Sequence, residues 1–426
     1  MADAGLGRTV DEPARNAALA WIVTLALVAF AIDHGLAESY RWFAFTGFAV
    51  AIVVLPVAAF RDPLAMPPWE LLALVAVPVV DATLFGQSPL TTVATYVAVA
   101  AVALVATVEI DRFTAVRMNH TFAIVLVVLT TLAVAGTWNV AQWLADVTLG
   151  TDYVLDGRSQ DAANRALMID FAYAALAGLL ASVVFGRYFS YAPNDTDRTR
   201  AYAPDDDAPD EEPDPVPSLI RDRLDVPDRT VTILSRTMQV ALAVLLLYGF
   251  VTRDLTTVSN SAIALGITFL PAAFERDRRL PLEPGLVFWL TAAVFLHALG
   301  SAGLYSFIGP WDSLTHTVSA SIVAAAGYAV VRAIDLHTDE IYFPPRMLIA
   351  FILVFVLAFG VLWELMEFAL DWSAQRLGLS AVVAQHGLDD TIVDLFYDVV
   401  GAGVAAIWGS FYLTELSNRI ASQLES

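Results

Sequence analysis

The residues able to do chemistry in this chain gather near its end. In DDTIVDLFYDVVGAG (Asp389–Gly403), Asp390, Asp394 and Asp398 recur at i, i+4, i+8 and share one stripe of a helix. Asp312 and His316 stand at i, i+4 in WDSLTH. Glu364 and Glu367 stand at i, i+3 in WELMEF, with Asp371 one turn on and His297 in the preceding apolar run. Carboxylates with an imidazole form a hard, oxygen-rich donor set, suited to Mg²⁺, Mn²⁺ or Ca²⁺ and, through histidine, to Zn²⁺ or Fe²⁺. The candidate metal ligands are His316, Glu364, Glu367, Asp394 and Asp398, with weaker claims for Asp312, Asp390 and His297.

These residues interrupt segments that are otherwise apolar. The chain has 426 residues, 58% of them hydrophobic, and a mean hydropathy of +0.65. That composition excludes an ordinary soluble enzyme and predicts an all-α polytopic membrane protein. Hydrophobic runs fall near 17–37, 42–60, 69–86, 90–108, 121–143, 166–189, 233–251, 257–274, 285–304, 313–333, 346–371 and 390–413. Each can cross a hydrocarbon core of ~30 Å at 1.5 Å per residue, so about twelve transmembrane helices are expected. Charged groups inside such helices are costly unless a cation, a proton or water compensates them.

Counting from the cytoplasmic end of each helix puts His316, Glu364, Asp394, Asp398 and His297 at depths of ~20–27 Å, one layer in the outer third of the membrane. One site built from the ninth to twelfth helices would produce that agreement. Asp312, Asp371, Asp389 and Asp390 also lie near helix ends and read equally as interfacial surface; for Asp312, Asp389 and Asp390, capping and the dipole of a helix N-terminus favour acids without any site. His297 alone reads first as a helix-contact histidine and only second as a ligand.

Cysteine is absent, which removes thiolate sites and cysteine nucleophiles. All 23 basic residues are arginine against 44 acidic ones, a net charge of −21 that argues against nucleic acid as a partner. Lysine-free, Asp-rich loops resemble the compositions of extreme halophiles. With the N-terminus inside, 18 arginines fall on the inner side and 5 on the outer. The positive-inside rule then places both termini in the cytoplasm of a plasma-membrane protein.

Residues 191–228 hold seven prolines and twelve acidic residues and read as a disordered cytoplasmic linker. The linker separates an N-terminal repeat, 1–190, from a C-terminal one, 229–426. FLPAAFERDRRLPLEPG (269–285) echoes VLPVAAFRDPLAMPPWE (54–70), and Trp138 and Asp170 fall over Trp363 and Asp394. Six helices per half is an even number, so the repeats are parallel. At the positions matching His316, Glu364, Glu367 and Asp398, the first half has Thr92, Asn139, Gln142 and Ala174. It reads as a neutralised copy.

WDSLTH, WELMEF and GLDDTIVDLFYDVVGA together resemble the pattern of YjdF-like integral membrane proteins and, loosely, VanZ-like proteins. The resemblance covers about the last 120 residues. It implies a six-helix module whose characteristic residues fall here at Asp312, His316, Glu364, Glu367, Asp390 and Asp394. It implies no activity.

Three functions suit such a layer. One is a divalent-metal site acting on a lipid-borne or envelope substrate, or on a small molecule, at the outer leaflet. A second is a cation- or proton-coupled transporter, and a third is a structural protein whose buried carboxylates share protons. The bilayer is the expected partner, and no stretch specifies an oligomeric state. No phosphate-binding glycine loop, nucleophile elbow or H-E-x-x-H motif occurs.

Overall fold

A computed structural model describes residues 13–85, 89–189, 227–273, 284–337, 341–378 and 387–424. The linker expectation for 191–226 lies outside the described residues. Among the described residues the regular structure is helical, joined by short turns and loops, with a single β-bridge between Arg117 and Tyr342. In chain order the helices are α1 (Pro13–Leu36), α2 (Tyr40–Phe60), α3 (Trp69–Phe85), α4 (Pro89–Phe113), α5 (His120–Leu149) and α6 (Gln160–Phe189). They continue as α7 (Asp228–Thr252), α8 (Leu255–Ala273), α9 (Pro284–Phe307), α10 (Trp311–His337), α11 (Pro345–Arg376) and α12 (Leu388–Leu424).

Among the described residues, ten of these helices are long and apolar enough to cross a membrane. The other two helices are α3, 17 residues long, and α12. The protein is an all-α polytopic membrane protein. Helices suit this solvent because each satisfies its own backbone hydrogen bonds. Buried hydroxyls follow the same rule by bonding back to their own helix. Thr24 donates to the Ala20 carbonyl (2.8 Å), Thr131 to Val127 (2.7 Å) and Thr291 to Val287 (2.7 Å).

The chain forms two compact units. The first comprises 1–154, 169–208 and 340–344, and the second 155–168, 209–339 and 345–426. In the first, α1 packs on α2 and α3, α2 on α3, α3 on α4 and α4 on α5. Its core holds Ala17, Ala20, Val53, Met66, Leu72 and Val105. Asn16 ties α1 to the turn before α3, donating to the Pro67 carbonyl (3.1 Å) and accepting from the Trp69 amide (3.1 Å). Asn119 caps α5 by accepting from the Phe122 amide (2.9 Å).

In the second unit α7 packs on α8 and α9, α8 on α9, α9 on α10, and α10 and α11 on one another and on α12. The α10–α12 contact is close because small residues line it. A Cβ on Gly401 would run into the Thr317 carbonyl, and Ala320, Ala324, Ala402 and Ala405 are buried. Near its end α9 widens into a π-turn, Gly300–Leu304, with Gly303 at φ 133°. Gly300 is required there, since the Tyr305 ring occupies the place of any Cβ.

Candidate functional site: a buried histidine–carboxylate cluster

The first turns of α10 and α12 and the last turns of α11 bring the acids and His316 together in the second unit. Successive helices that alternate in direction make a start, an end and a start coincide at one end of the bundle. His316 is about 8 Å along α10 and Asp394 about 9 Å along α12, by helical rise. His316 is the centre. Its Nδ1 meets Asp398 Oδ1 at 3.2 Å. Its Nε2 lies 3.6 Å from Asp394 Oδ2 and 3.9 Å from Asp312 Oδ1, longer than ordinary hydrogen bonds. Ligand-capable atoms of Asp312, His316 and Asp394 all lie within 4.8 Å of one another.

The tautomer follows from the partners. A carboxylate only accepts, so Asp398 places the proton on Nδ1. The Nε2 lone pair of the neutral ring then faces two carboxylates, which is unfavourable unless a cation or a second proton lies between them. Asp398 approaches closely because α11 has a glycine opposite it, where a Cβ on Gly360 would stand 2.5 Å from Asp398 Oδ2. Side-chain exposure falls from 30% at Asp312 through 18% at His316 to 7% at Asp394, so the cluster opens on the Asp312 side. The turn beside it exposes Phe307 and Ile308.

Glu364 and Glu367 form a second layer on α11. Glu364 is buried, and its Oε2 lies 3.0 Å from Thr391 Oγ1. It lies within electrostatic reach of Glu367, His316 and Asp398. Trp363 Nε1 donates to Glu367 Oε1 at 2.8 Å, which fixes that carboxylate. Asp390 is half-buried one turn before Asp394 and outside the ligand-capable trio. His297 meets the Tyr305 hydroxyl through Nδ1 at 2.9 Å and reaches the cluster indirectly, since Tyr305 feels the charges of Asp312, Glu367 and Asp394.

Sequence reading missed four contributors: Tyr305, Thr391, Gly360 and Asn164. Thr391 stands inside the aspartate segment as its one threonine, with no serine beside it, whereas Tyr305 and Gly360 carry no spacing signal. Asn164, at the start of α6, meets Thr391 Oγ1 at 3.2 Å. Beside it Gln160 donates to Asp389 Oδ2 (2.8 Å) and accepts from the Asp389 amide (2.9 Å). The second unit therefore includes a piece of chain that precedes the linker.

In the first unit, the Tyr96 hydroxyl donates to Asp170. Asn139 and Gln142 bond back to their own helix, to the carbonyls of Ala135 (3.0 Å) and Trp138 (3.4 Å).

Fold and cluster together define a multi-pass membrane protein with a buried histidine–carboxylate site. Residues 233–415 match the family described as "Predicted membrane protein (DUF2238)", and residues 4–66 match a "Domain of unknown function (DUF8268)". An "Uncharacterized protein" of Thermotoga maritima is 32% identical over 136 residues, covering 31% of this chain and 66% of that relative. No solved structure matches the chain.

Proposed function

We propose that the cluster is a divalent-metal site in which Asp312, His316 and Asp394 are ligands and Asp398 orients His316. One observation carries this reading: His316 turns Nε2 toward two carboxylates while Nδ1 meets a third. With metal–ligand bonds of about 2.0–2.2 Å, ligand atoms stand about 3 to 4 Å apart, the range of the 3.6 and 3.9 Å separations here. A carboxylate on the far nitrogen of a ligating histidine is the usual supporting contact.

A metal held there supplies Lewis acidity and an activated water. The opening beside Asp312, rimmed by apolar Phe307 and Ile308, suits a lipid-borne substrate whose polar group reaches the cluster from the membrane surface. Glu364 and Glu367 stand outside the ligand set and can exchange protons with it. The test is elemental analysis of protein purified with supplemented Mn²⁺, Zn²⁺ or Mg²⁺. Near-stoichiometric metal in the wild type, lost in His316→Ala and Asp394→Asn, is expected. Metal-free wild-type protein overturns the reading.

A cation- or proton-coupled transporter is the second reading, supported by the burial of Glu364 and Glu367 beyond the ligands. It requires Asp398→Asn to abolish cation-coupled uptake into vesicles while the protein still folds. The arrangement as two parallel repeats, 1–190 and 229–426, belongs to the same proposal. Its support is that the helix pairs α1–α2, α1–α3, α2–α3, α3–α4 and α4–α5 recur as α7–α8, α7–α9, α8–α9, α9–α10 and α10–α11. A plasma-membrane location with both termini inside rests on the arginine distribution.

A further inference from the structure

Away from the proposed ligands, matching segments of the two repeats meet in two places. Arg117 and Tyr342 each stand three residues before a helix, ahead of His120 in α5 and Pro345 in α11. Trp138 and Trp363 then fall at the same position along those helices, so the register continues beyond the loops. The Arg117 amide donates to the Tyr342 carbonyl at 2.9 Å, and the Tyr342 amide to the Arg117 carbonyl at 2.8 Å. The Arg117 guanidinium lies over the Tyr342 ring, 5.4 Å from its centroid. Their neighbours Val116 and Ile341 are both buried. Such an antiparallel pair is symmetric, each residue giving and taking one bond. Unrelated loops have no reason to meet in the same register. The second place is past the other end of α5, where the first turn of α6 meets that of α12. Gln160 donates to Asp389 Oδ2 (2.8 Å) and accepts from the Asp389 amide (2.9 Å), and Asn164 Oδ1 lies 3.2 Å from Thr391 Oγ1. Gly387, at φ 104°, admits this approach, since a Cβ there would stand 2.8 Å from Gln160 Cβ. The compact units record the same exchange. Residues 340–344 of the C-terminal half belong to the first, and 155–168 of the N-terminal half to the second.

We infer that the N-terminal half takes the place of a second copy of the C-terminal half, bound through a self-complementary surface. That surface consists of the residues before α5 and α11 and the first turns of α6 and α12. Each segment meets its own match, as at a twofold contact between identical chains. The inference rests on the two-repeat reading and adds to it, because repeats of one chain can share a fold without pairing at matching residues. It also gives the first half a task, although that half has Thr92, Asn139, Gln142 and Ala174 where the cluster has its histidine and acids. Gln160 and Asn164 hold the turn of α12 that leads into Asp394. With one pairing before α5 and one after it, the halves stay together without the covalent link through 191–226.

The test uses the full-length protein with a protease site inserted within 191–226, purified in detergent, cut to completion and heated in steps before size exclusion. The two fragments are expected to co-elute as one particle. The temperature at which they separate should fall by about 2–4 °C in Tyr342→Arg and in Gln160→Ala. Adding Arg117→Tyr to Tyr342→Arg exchanges the members of the pair and should restore the wild-type temperature. Wild-type fragments that separate on cutting, or single variants that leave the temperature unmoved, overturn the inference. So does an exchanged pair no better than Tyr342→Arg alone. Cysteine variants of this cysteine-free chain tell its failure from that of the two-repeat reading. Arg117→Cys and Tyr342→Cys, made singly, should be labelled by an impermeant maleimide from the same side of the membrane. Made together they should form a disulfide joining the cut fragments, because a hydrogen-bonded antiparallel pair sets its Cα atoms about 5.5 Å apart. Labelling from opposite sides overturns both readings. Labelling from one side without the disulfide overturns this inference and leaves the repeats standing.

Discussion

At the scale of single residues, the two nitrogens of His316 divide the carboxylates into two roles. Asp394 and Asp312 face Nε2, and Asp398 holds Nδ1. Removing a ligand and removing a support should therefore differ in size. In calorimetric titration with Mn²⁺ or Zn²⁺, His316→Ala and Asp394→Asn are expected to abolish binding. Asp398→Asn should weaken it roughly 10- to 100-fold, the usual cost of losing a supporting contact to a ligating histidine. Equal losses in all three would remove the distinction. The stripe Asp390, Asp394, Asp398 was legible from spacing alone, but the members are not equivalent. Each step of four advances a helix by about 40°, so Asp390 points about 80° away from Asp398. His316 lies between Asp394 and Asp398, leaving Asp390 off the trio.

At the scale of helices, the cluster depends on how closely α11 and α12 approach. Gly360 is the point of contact, with Asp398 Oδ2 and Leu395 Cδ2 at 2.5 and 3.0 Å from the place of a Cβ. Gly360→Ala should cost about 1–3 kcal/mol through overpacking and lower metal affinity by displacing Asp398. Thermal unfolding in detergent and metal titration would read the two effects. Away from the site, Asp254 caps α8 by accepting from the Thr256 amide (3.1 Å), the Thr257 amide (3.3 Å) and the Thr257 hydroxyl (2.5 Å). The Thr257 hydroxyl bond, joined by the two amides, holds this carboxyl below its ordinary value. A depressed folded-state value means the stabilisation is complete above the unfolded value of about 3.9 and is lost as pH falls through the folded value. Asp254→Ala should cost about 1 kcal/mol near neutrality, and the gap between variant and wild type should close in strong acid. A gap that stays constant down to the lowest pH would contradict the capping role.

At the scale of the whole molecule, the absence of cysteine makes topology directly measurable. Single substitutions Asp152→Cys, Thr196→Cys and Ser426→Cys are expected to differ in intact cells. An impermeant maleimide should label the first and leave the other two unlabelled until the cells are opened. Labelling of Thr196→Cys in intact cells would reverse the orientation. Composition and hydrophobic run length alone determined that the chain is an all-α membrane protein. They also placed each of the twelve helices, because a bilayer demands about 20 apolar residues per crossing and punishes charge, although helices such as His120–Leu149 and Leu388–Leu424 run on past their apolar segments. Helical spacing picked out Asp312, His316, Glu364, Glu367, Asp394 and Asp398 for the same reason. Only the tertiary structure decided which nitrogen of His316 meets which acid, and that Thr391 meets Asn164 and Glu364 across 227 and 27 residues of chain. Period and composition are local properties of a sequence. A hydrogen bond between distant helices depends on how those helices pack, and no spacing along the chain encodes it.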